Sequence, residues 1–231
     1  MKYRHELKHD ITIADMMAIR ARLRAVMKPD PHAIDGKYFI RSLYFDTPGN
    51  KALREKQDGI NKRQKFRIRY YNGNKETIHL EKKCKDGGLG LKVATNLTED
   101  EAGRIARGDI AWMETSEDEL IKEFHYKIRT EGLAPKVIVD YTREPFVYGP
   151  GNVRVTLDYD IRTGLDCTDF LNINCITIPA APGRCIMEVK WDEYLPDIVR
   201  DAVRLPHVQT GSFSKYEACR IPFMGYGFGE L

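Results

Sequence analysis

Charged and apolar residues alternate with a period of two in several separated stretches of this chain. Arg67 and Arg69 alternate with Phe66 and Ile68 in KFRIRYY, and Glu81 and Lys83 belong to HLEKK. Arg154, Thr156 and Asp158 alternate with Val155 and Leu157 in VRVTLDYD, and Glu188 and Lys190 flank Val189 in IMEVKW. Residues i and i+2 of a strand project from the same side, so each stretch predicts a strand with one charged and one apolar face. A sheet open to water on one side shows mixed polar residues there. Here that side is dominated by Arg and Lys with a minority of carboxylates, a combination suited to a polyanion and a divalent metal.

The rest of the pattern fills in the elements. Segment 3–11 alternates Arg4, Glu6 and Lys8 with Tyr3, His5 and Leu7 and predicts the first strand. A helix follows: Thr12 and Asp15 have capping-box spacing, Met16, Ile19, Leu23 and Val26 form the apolar stripe, and Pro29 and Pro31 end it. Strands are expected at 38–46, 65–71, 77–83, 136–141, 153–161 and 185–191, with a short helical piece at 51–56. Asn72-Gly73-Asn74 marks a hairpin, and Asp86-Gly87-Gly88-Leu89-Gly90 a glycine-rich loop leading to Lys92. Thr98 with Glu101 and Ser116 with Glu119 predict helices over roughly 98–107 and 116–129, and a last helix covers about 195–205 before Pro206. The tail GSFSKYEACR carries no clear signal. Short connections between strands favour an α+β arrangement, an antiparallel sheet with helices on its apolar side. Charged-in and apolar-out also fits a barrel of about eight strands enclosing one ligand. With no repeat or linker, residues 1–231 are expected to form a single domain.

Composition narrows the partners. Net charge is only +3, because 37 Lys and Arg nearly balance 34 Asp and Glu, so bulk charge does not point to nucleic acid and a basic site must arise by local segregation. Five cysteines form neither CxxC pairs nor zinc-type spacings, and with no signal peptide they read as reduced thiols in a cytoplasmic compartment. No apolar run approaches the roughly 20 residues needed to cross a bilayer.

The charged strand positions are Glu6, Lys8, Arg67, Arg69, Glu81, Lys83, Arg154, Asp158, Glu188 and Lys190, to which Lys92, Arg143 and Lys215 are added from strand ends or loops. Any one alone is an ordinary surface charge; the set is notable because the alternation recurs. Arginines grip phosphate oxygens in pairs, whereas lysines act as mobile point charges. The acids among them serve as salt-bridge partners or hold a divalent metal; both roles stay open for Glu6 and Asp158, and Glu188 reads as a metal ligand. Hard oxygen donors favour Mg²⁺ or Mn²⁺ over zinc. DGGLGLK lacks the GK[ST] of a Walker sequence, and His5, His9 and His79 have no metal-ligand spacing.

In order along the chain, RHELKH, SLYFDTP, LREKQDG, KFRIRYY, HLEKKCK, TREPFV, VRVTLDYDI, IMEVKWDEYLP and SKYEACR resemble the VTC domain, the polyphosphate polymerase domain of the triphosphate tunnel metalloenzyme superfamily. The resemblance implies an antiparallel eight-stranded tunnel with helices outside, binding ATP and a divalent metal and passing the γ-phosphoryl group to orthophosphate or a growing polyphosphate chain. By motif, Lys8, Arg67, Arg69, Lys83, Arg143 and Arg154 match catalytic positions, and Lys92, Lys190, Lys215 and Glu6 substrate-binding ones. Glu188 matches the metal-binding glutamate, and Glu81 and Asp158 are its candidate co-ligands. Hydrolase and cyclase members carry ExExK in the first strand, whereas Arg4-His5-Glu6-Leu7-Lys8 reads RxExK, a departure that favours the VTC branch.

Two rival expectations accompany this one: a metal-dependent triphosphatase or polyphosphatase in the same tunnel, and a non-catalytic polyphosphate or inositol-phosphate binding module. If the lumen is crowded with like charges, Arg67→Ala and Arg69→Ala are expected to abolish turnover while leaving the melting temperature unchanged or raised.

Overall fold

The strands predicted by alternation pair into one antiparallel sheet. The structure, a computed structural model, describes residues 4–87, 89–205, 211 and 213–221. Tyr3, Gly88, Pro206 and Ser212, which figure in the expected first strand, glycine-rich loop, last helix and tail, lie outside the described residues. In chain order the strands are β1 (His5–Thr12), β2 (Lys28–Pro29), β3 (Tyr38–Asp46), β4 (Arg63–Tyr71), β5 (Asn74–Asp86), β6 (Leu89–Leu97), β7 (Ala134–Tyr148), β8 (Val153–Thr163), β9 (Ile178–Pro179) and β10 (Arg184–Trp191). The sheet path runs β1-β10-β8-β7-β3-β4-β5-β6, with the two-residue strands β2 and β9 appended to β7 and β8. An isolated antiparallel bridge between Arg4 and Gly90 brings the two ends of this path together, so the eight long strands curl around a common interior.

The helices are α1 (Ile13–Val26), α2 (Lys51–Gln57), α3 (Glu99–Ala106), α4 (Glu119–Glu131), α5 (Asp197–Ala202) and α6 (Lys215–Ala218). The capping boxes at Thr12 with Asp15 and at Thr98 with Glu101 form as expected. At α4 the cap is Asp118 rather than Ser116: the Asp118 carboxylate accepts the backbone N–H groups of Leu120 and Ile121, and Ser116 instead accepts from the Asp118 N–H. An ionised acceptor at the helix start also meets the positive end of the helix dipole, which a hydroxyl does less well. The expected helix over 195–205 is confined to α5, and the strand expected at 136–141 extends in both directions into β7. The expected glycine-rich loop is largely strand: β5 runs to Asp86, β6 starts at Leu89, and Lys92 lies on β6.

Convex and concave faces divide the core. Outside, Phe45, Phe66, Ile68, Ile78 and Leu80 pack with Ile105 of α3 and Phe124 of α4. Farther round the curl, Val155, Leu157, Met187 and Val189 pack with Met16, Ile19 and Leu23 of α1 and Val199 of α5. A third cluster is on the concave side. Tyr44, Val137, Val139, Tyr141, Ile161 and Ile186 enclose Tyr216 of α6 and the nearby Cys219, so the α6 segment turns back into the curl. All five cysteines are free thiols, with Cys167 and Cys175 sulfurs 2.7 Å apart.

Asp46 ties this inward segment to the sheet. Its fully buried carboxylate accepts the N–H groups of Thr47 (2.8 Å), Ala52 (2.9 Å) and Leu53 (3.2 Å) and the Tyr216 hydroxyl (2.7 Å). One side chain thereby caps α2 and anchors α6. Asp46→Ala leaves these donors unsatisfied and is expected to lower stability by about 3 kcal/mol. Urea unfolding measures it, and a loss within error of zero would show that the docking of α6 does not depend on this carboxylate.

Candidate functional site

The site follows from register. On β4, Lys65, Arg67 and Arg69 alternate with buried Phe66 and Ile68, which face the convex core. Arg67 pairs across to Tyr44 on β3 and Glu81 on β5, and Lys65 pairs with Lys83. On the other side, Lys8 of β1 faces Glu188 of β10, and Glu6 faces Lys190. Curling the sheet turns these positions toward one cavity. Among the described residues eleven Lys or Arg line it, against two carboxylates, Glu6 and Glu188. For a chain of net charge +3, that is strong local segregation.

Three ion-pair groups structure the wall. In the first, the Lys8 ammonium lies 3.0 Å from Glu6 and 3.1 Å from Glu188, and that of Lys190 lies 2.9 Å from Glu188 and 3.6 Å from Glu6. Lys83 reaches Glu6 at 3.4 Å. Burial opposes the Lys8 charge, but Glu188 and Glu6 raise its pKa above the ordinary lysine value. Burial and Glu188 oppose ionisation of Glu6, yet Lys8, Lys83 and Lys190 hold its pKa below the usual carboxylate value. Burial likewise opposes the Glu188 charge, and Lys8, Lys190 and Arg143 hold its pKa well below normal. Lys83 goes the other way: burial, with Lys8 beside it, pushes its pKa down to about 8.

The second group centres on Glu81, which is 1% exposed. Arg67 approaches it at 2.6 Å, Lys92 at 2.8 Å and Arg69 at 3.7 Å. Arg67 also donates to the Tyr44 hydroxyl at 2.8 Å, and Arg69 donates to Ser42 (2.9 Å) and Tyr141 (3.0 Å). Burial would raise the Tyr44 pKa, but Arg67 and Arg69 bring it down to about 8. In the third group, Arg143 makes a two-point contact with fully buried Asp158 (2.6 and 2.7 Å), and Lys215 of α6 joins at 2.6 Å. Burial alone would raise the Asp158 pKa; Arg143 and Lys215 hold it at about 2.

The cavity thus collects Glu6, Lys8, Arg67, Arg69, Lys83, Arg143, Glu188, Lys190 and Lys215. Two expected residues stand apart. Arg154 shares the concave face by register but turns to Asp30 (3.0 Å) at the rim, and Lys92 does not line the cavity, reaching it only through Glu81. Of the expected metal set, Glu188 lies on the cavity wall while Glu81 and Asp158 do not, and among the described residues no three or more His, Cys, Asp or Glu are clustered as a metal site. Glu81 and Asp158 are each engaged by cations behind the cavity wall, and the two carboxylates on it are Glu6 and Glu188, which share Lys8 and Lys190. Glu6 and Glu188 are hard oxygen donors of the kind that suits a divalent ion. The alternation also contained residues not singled out above. Arg63 and Lys65 continue the i+2 series of Arg67 and Arg69, Lys85 continues that of Glu81 and Lys83, and all three line the cavity.

The VTC domain model matches residues 3–221. The chain belongs to the VTC domain family. Solved structures share its fold at low identity. A Hippeastrum protein described as a putative adenylyl cyclase with a dominant triphosphatase activity aligns with a TM-score of 0.58 at 12% identity, covering 95% of this chain and 96% of its own. A putative adenylate cyclase from Vibrio parahaemolyticus aligns with a TM-score of 0.50 at 12% identity, covering 94% and 97%. No curated protein matches the chain. This VTC domain therefore has the curled antiparallel sheet of triphosphate tunnel proteins, with helices outside, and that superfamily implies dependence on a divalent metal. Among the described residues no helix is long and apolar enough to cross a membrane.

Geometry reverses the expectation for Arg67→Ala. Removing this arginine strips a buried carboxylate of its nearest cation, which outweighs any relief of like-charge crowding. The variant is expected to lose about 2 kcal/mol, seen as a lower melting temperature, and Glu81→Gln in the same chain is expected to restore part of it. A melting temperature that stays or rises in Arg67→Ala would restore the crowding picture. The Lys83 pKa sets a pH dependence. Above pH about 8 the free VTC domain loses this charge, while a bound phosphate favours the protonated form, so binding takes up a proton there. Tripolyphosphate affinity is expected to fall as pH rises from 7 to 9, less steeply in Lys83→Arg; equal calorimetric profiles for the two would remove Lys83 from the titration.

Proposed function

We propose that the cavity transfers the γ-phosphoryl group of ATP to orthophosphate or to the end of an inorganic polyphosphate chain, releasing ADP. The observation that carries this reading is the gathering, among the described residues, of eleven basic side chains against two acidic ones on the wall of one cavity within the curled sheet. Phosphoryl transfer needs positioning and charge neutralisation more than covalent participation. Arg67 and Arg69, fixed by Glu81, Tyr44, Ser42 and Tyr141, present guanidinium groups of set orientation to phosphate oxygens. Lys8, Lys83 and Lys190 neutralise the chain along the opposite wall, and Arg143 with Lys215 does so where α6 enters. Arg154 and Lys92 act from the rim. A divalent ion, Mg²⁺ or Mn²⁺ by its oxygen donors, would be held by Glu6 and Glu188 and supply neutralisation of charge on the phosphates.

The acceptor is already an anion, so no base is needed to activate it. A hydrolase gains from an acid that positions water. At the place of the first-strand acid of ExExK proteins stands Arg4, whose guanidinium is held at 2.9 Å by Asp192, which supports transfer over hydrolysis. A second reading, triphosphate hydrolysis in the same cavity, is favoured by Glu6 and Glu188, two wall carboxylates able to orient water, and by the activity described for the Hippeastrum protein.

Incubating the protein with ATP and Mn²⁺ separates the two. Acid-labile phosphate polymer is expected, and Glu188→Ala is expected to reduce its formation at least a hundredfold, roughly 3 kcal/mol in barrier. Free phosphate without polymer would establish hydrolysis instead. Tight polyphosphate binding with no turnover, indifferent to Glu188→Ala, would establish a binding module.

A further inference from the structure

The cations of the cavity differ in how they are compensated. Those deeper along β4, β10 and β7 have internal counter-charges: Glu81 for Arg67, Glu188 for Lys190, Asp158 for Arg143. At the other end of β4 and β5 the series continues through Arg63, Lys65 and Lys85, and among the described residues no carboxylate lies within ion-pair distance of these three. Register makes the crowding worse, setting Arg63 opposite Lys85 and Lys65 opposite Lys83. Like charges directly opposite in a sheet are destabilising, and of these four cations Lys83 alone has a carboxylate, Glu6 at 3.4 Å, so an anion arriving at Arg63, Lys65 and Lys85 relieves the crowding. Burial, with Arg63 and Lys56 adding to it, pushes the Lys65 pKa down to about 8, and burial and Arg63 lower that of Lys85.

The position of these groups is fixed and accessible. The Lys65 ammonium sits 5.2 Å over the Tyr216 ring and 3.4 Å from the Ser214 hydroxyl. Arg63, Lys65 and Lys85 also line a second cavity beside α2, but its wall carries Asp46, Glu55, Asp86 and Glu131, so an anion on the three cations is favoured on the side of the first, basic cavity. Along β4, Arg63 and Arg69 are separated by six residues, roughly 20 Å of strand. A linear polyanion lying along that ladder meets the compensated arginines at one end and the uncompensated group at the other.

We propose that Arg63, Lys65 and Lys85 form the acceptor station, binding the terminal phosphates of a linear inorganic phosphate chain, or orthophosphate itself, at the mouth of the cavity. This rests on the reading of the cavity as a phosphoryl-transfer site. In the step it serves, an oxygen of the terminal acceptor phosphate forms a bond to the γ-phosphorus. The bond from that phosphorus to the β–γ bridging oxygen breaks, its electron pair leaves with ADP, and any proton on the acceptor oxygen goes to solvent.

Lysine acylation with an N-hydroxysuccinimide acetate, read by peptide mass spectrometry on the full chain at pH 7.5, tests the station without turnover. Long-chain polyphosphate is expected to slow labelling of Lys65 and Lys85 at least tenfold, orthophosphate to do so at higher concentration, and sodium chloride of equal ionic strength to have little effect. Lys85→Gln is expected to weaken polyphosphate binding at least fivefold by titration calorimetry. Labelling rates unchanged by either phosphate, protection equalled by chloride, or unaltered affinity in Lys85→Gln would overturn the proposal. Protection in a chain that makes no polymer would retire the polymerase reading and leave the phosphate site standing. Polymer made without protection would do the reverse.

Discussion

Charge compensation inside a curled sheet is the constraint on which this structure depends. Cations that face one another across a narrow interior repel strongly, and the repulsion grows as water is excluded. The protein answers with carboxylates placed at chosen registers. Glu81, Asp158 and Glu188 are 1%, 0% and 6% exposed, and each touches at least two basic groups. Taking such ions out of water is expensive, and replacing buried pairs by apolar residues is often neutral or stabilising in other proteins. Their role at and behind the cavity wall is the orientation of arginine and lysine rather than a source of stability. The apolar clusters under α1, α3 and α4 supply the stability that this arrangement consumes.

The same constraint sorts the charges into classes of different chemical use. Arg67, Arg69 and Arg143 are pinned by two or more partners each and present fixed forks. Lys8 and Lys190 bridge Glu6 and Glu188, so phosphate or metal arriving there exchanges one ionic partner for another.

Much of this was legible in the residue pattern because a strand repeats every two residues, and burial on one face forces the other face to carry the charge. That rule identifies Lys8, Arg67, Arg69, Lys83, Glu188 and Lys190 on one concave surface without knowledge of strand order. It cannot say which charges meet. The pairing of Glu81 with Arg67 depends on the β4–β5 register, and that of Asp158 with Lys215 on a tail that no periodicity reveals, so salt-bridge partners were indistinguishable from metal ligands. Arg154 obeys the alternation and still leaves the cavity, because Asp30 from the segment after α1 is nearer to its guanidinium. Lys92 belongs to β6 rather than to the end of a loop, because glycines at 87, 88 and 90 hide the start of that strand from the sequence pattern. The cap of α4 falls two residues later than the capping-box spacing predicts, because Ser116 and Asp118 both offer an acceptor at the right end and only the backbone path decides between them.

The inward turn of α6 joins parts of the wall that are far apart in sequence. Lys215 and Tyr216 follow every strand of the sheet, yet they complete the wall begun by β1, β3 and β8: Gly211 donates to the Lys8 carbonyl, Tyr216 reaches Asp46, and Lys215 reaches Asp158. Without this segment Asp158 has one cation fewer and Asp46 one donor fewer. The strands can therefore pair before the wall is finished, and α6 is the keystone that locks it.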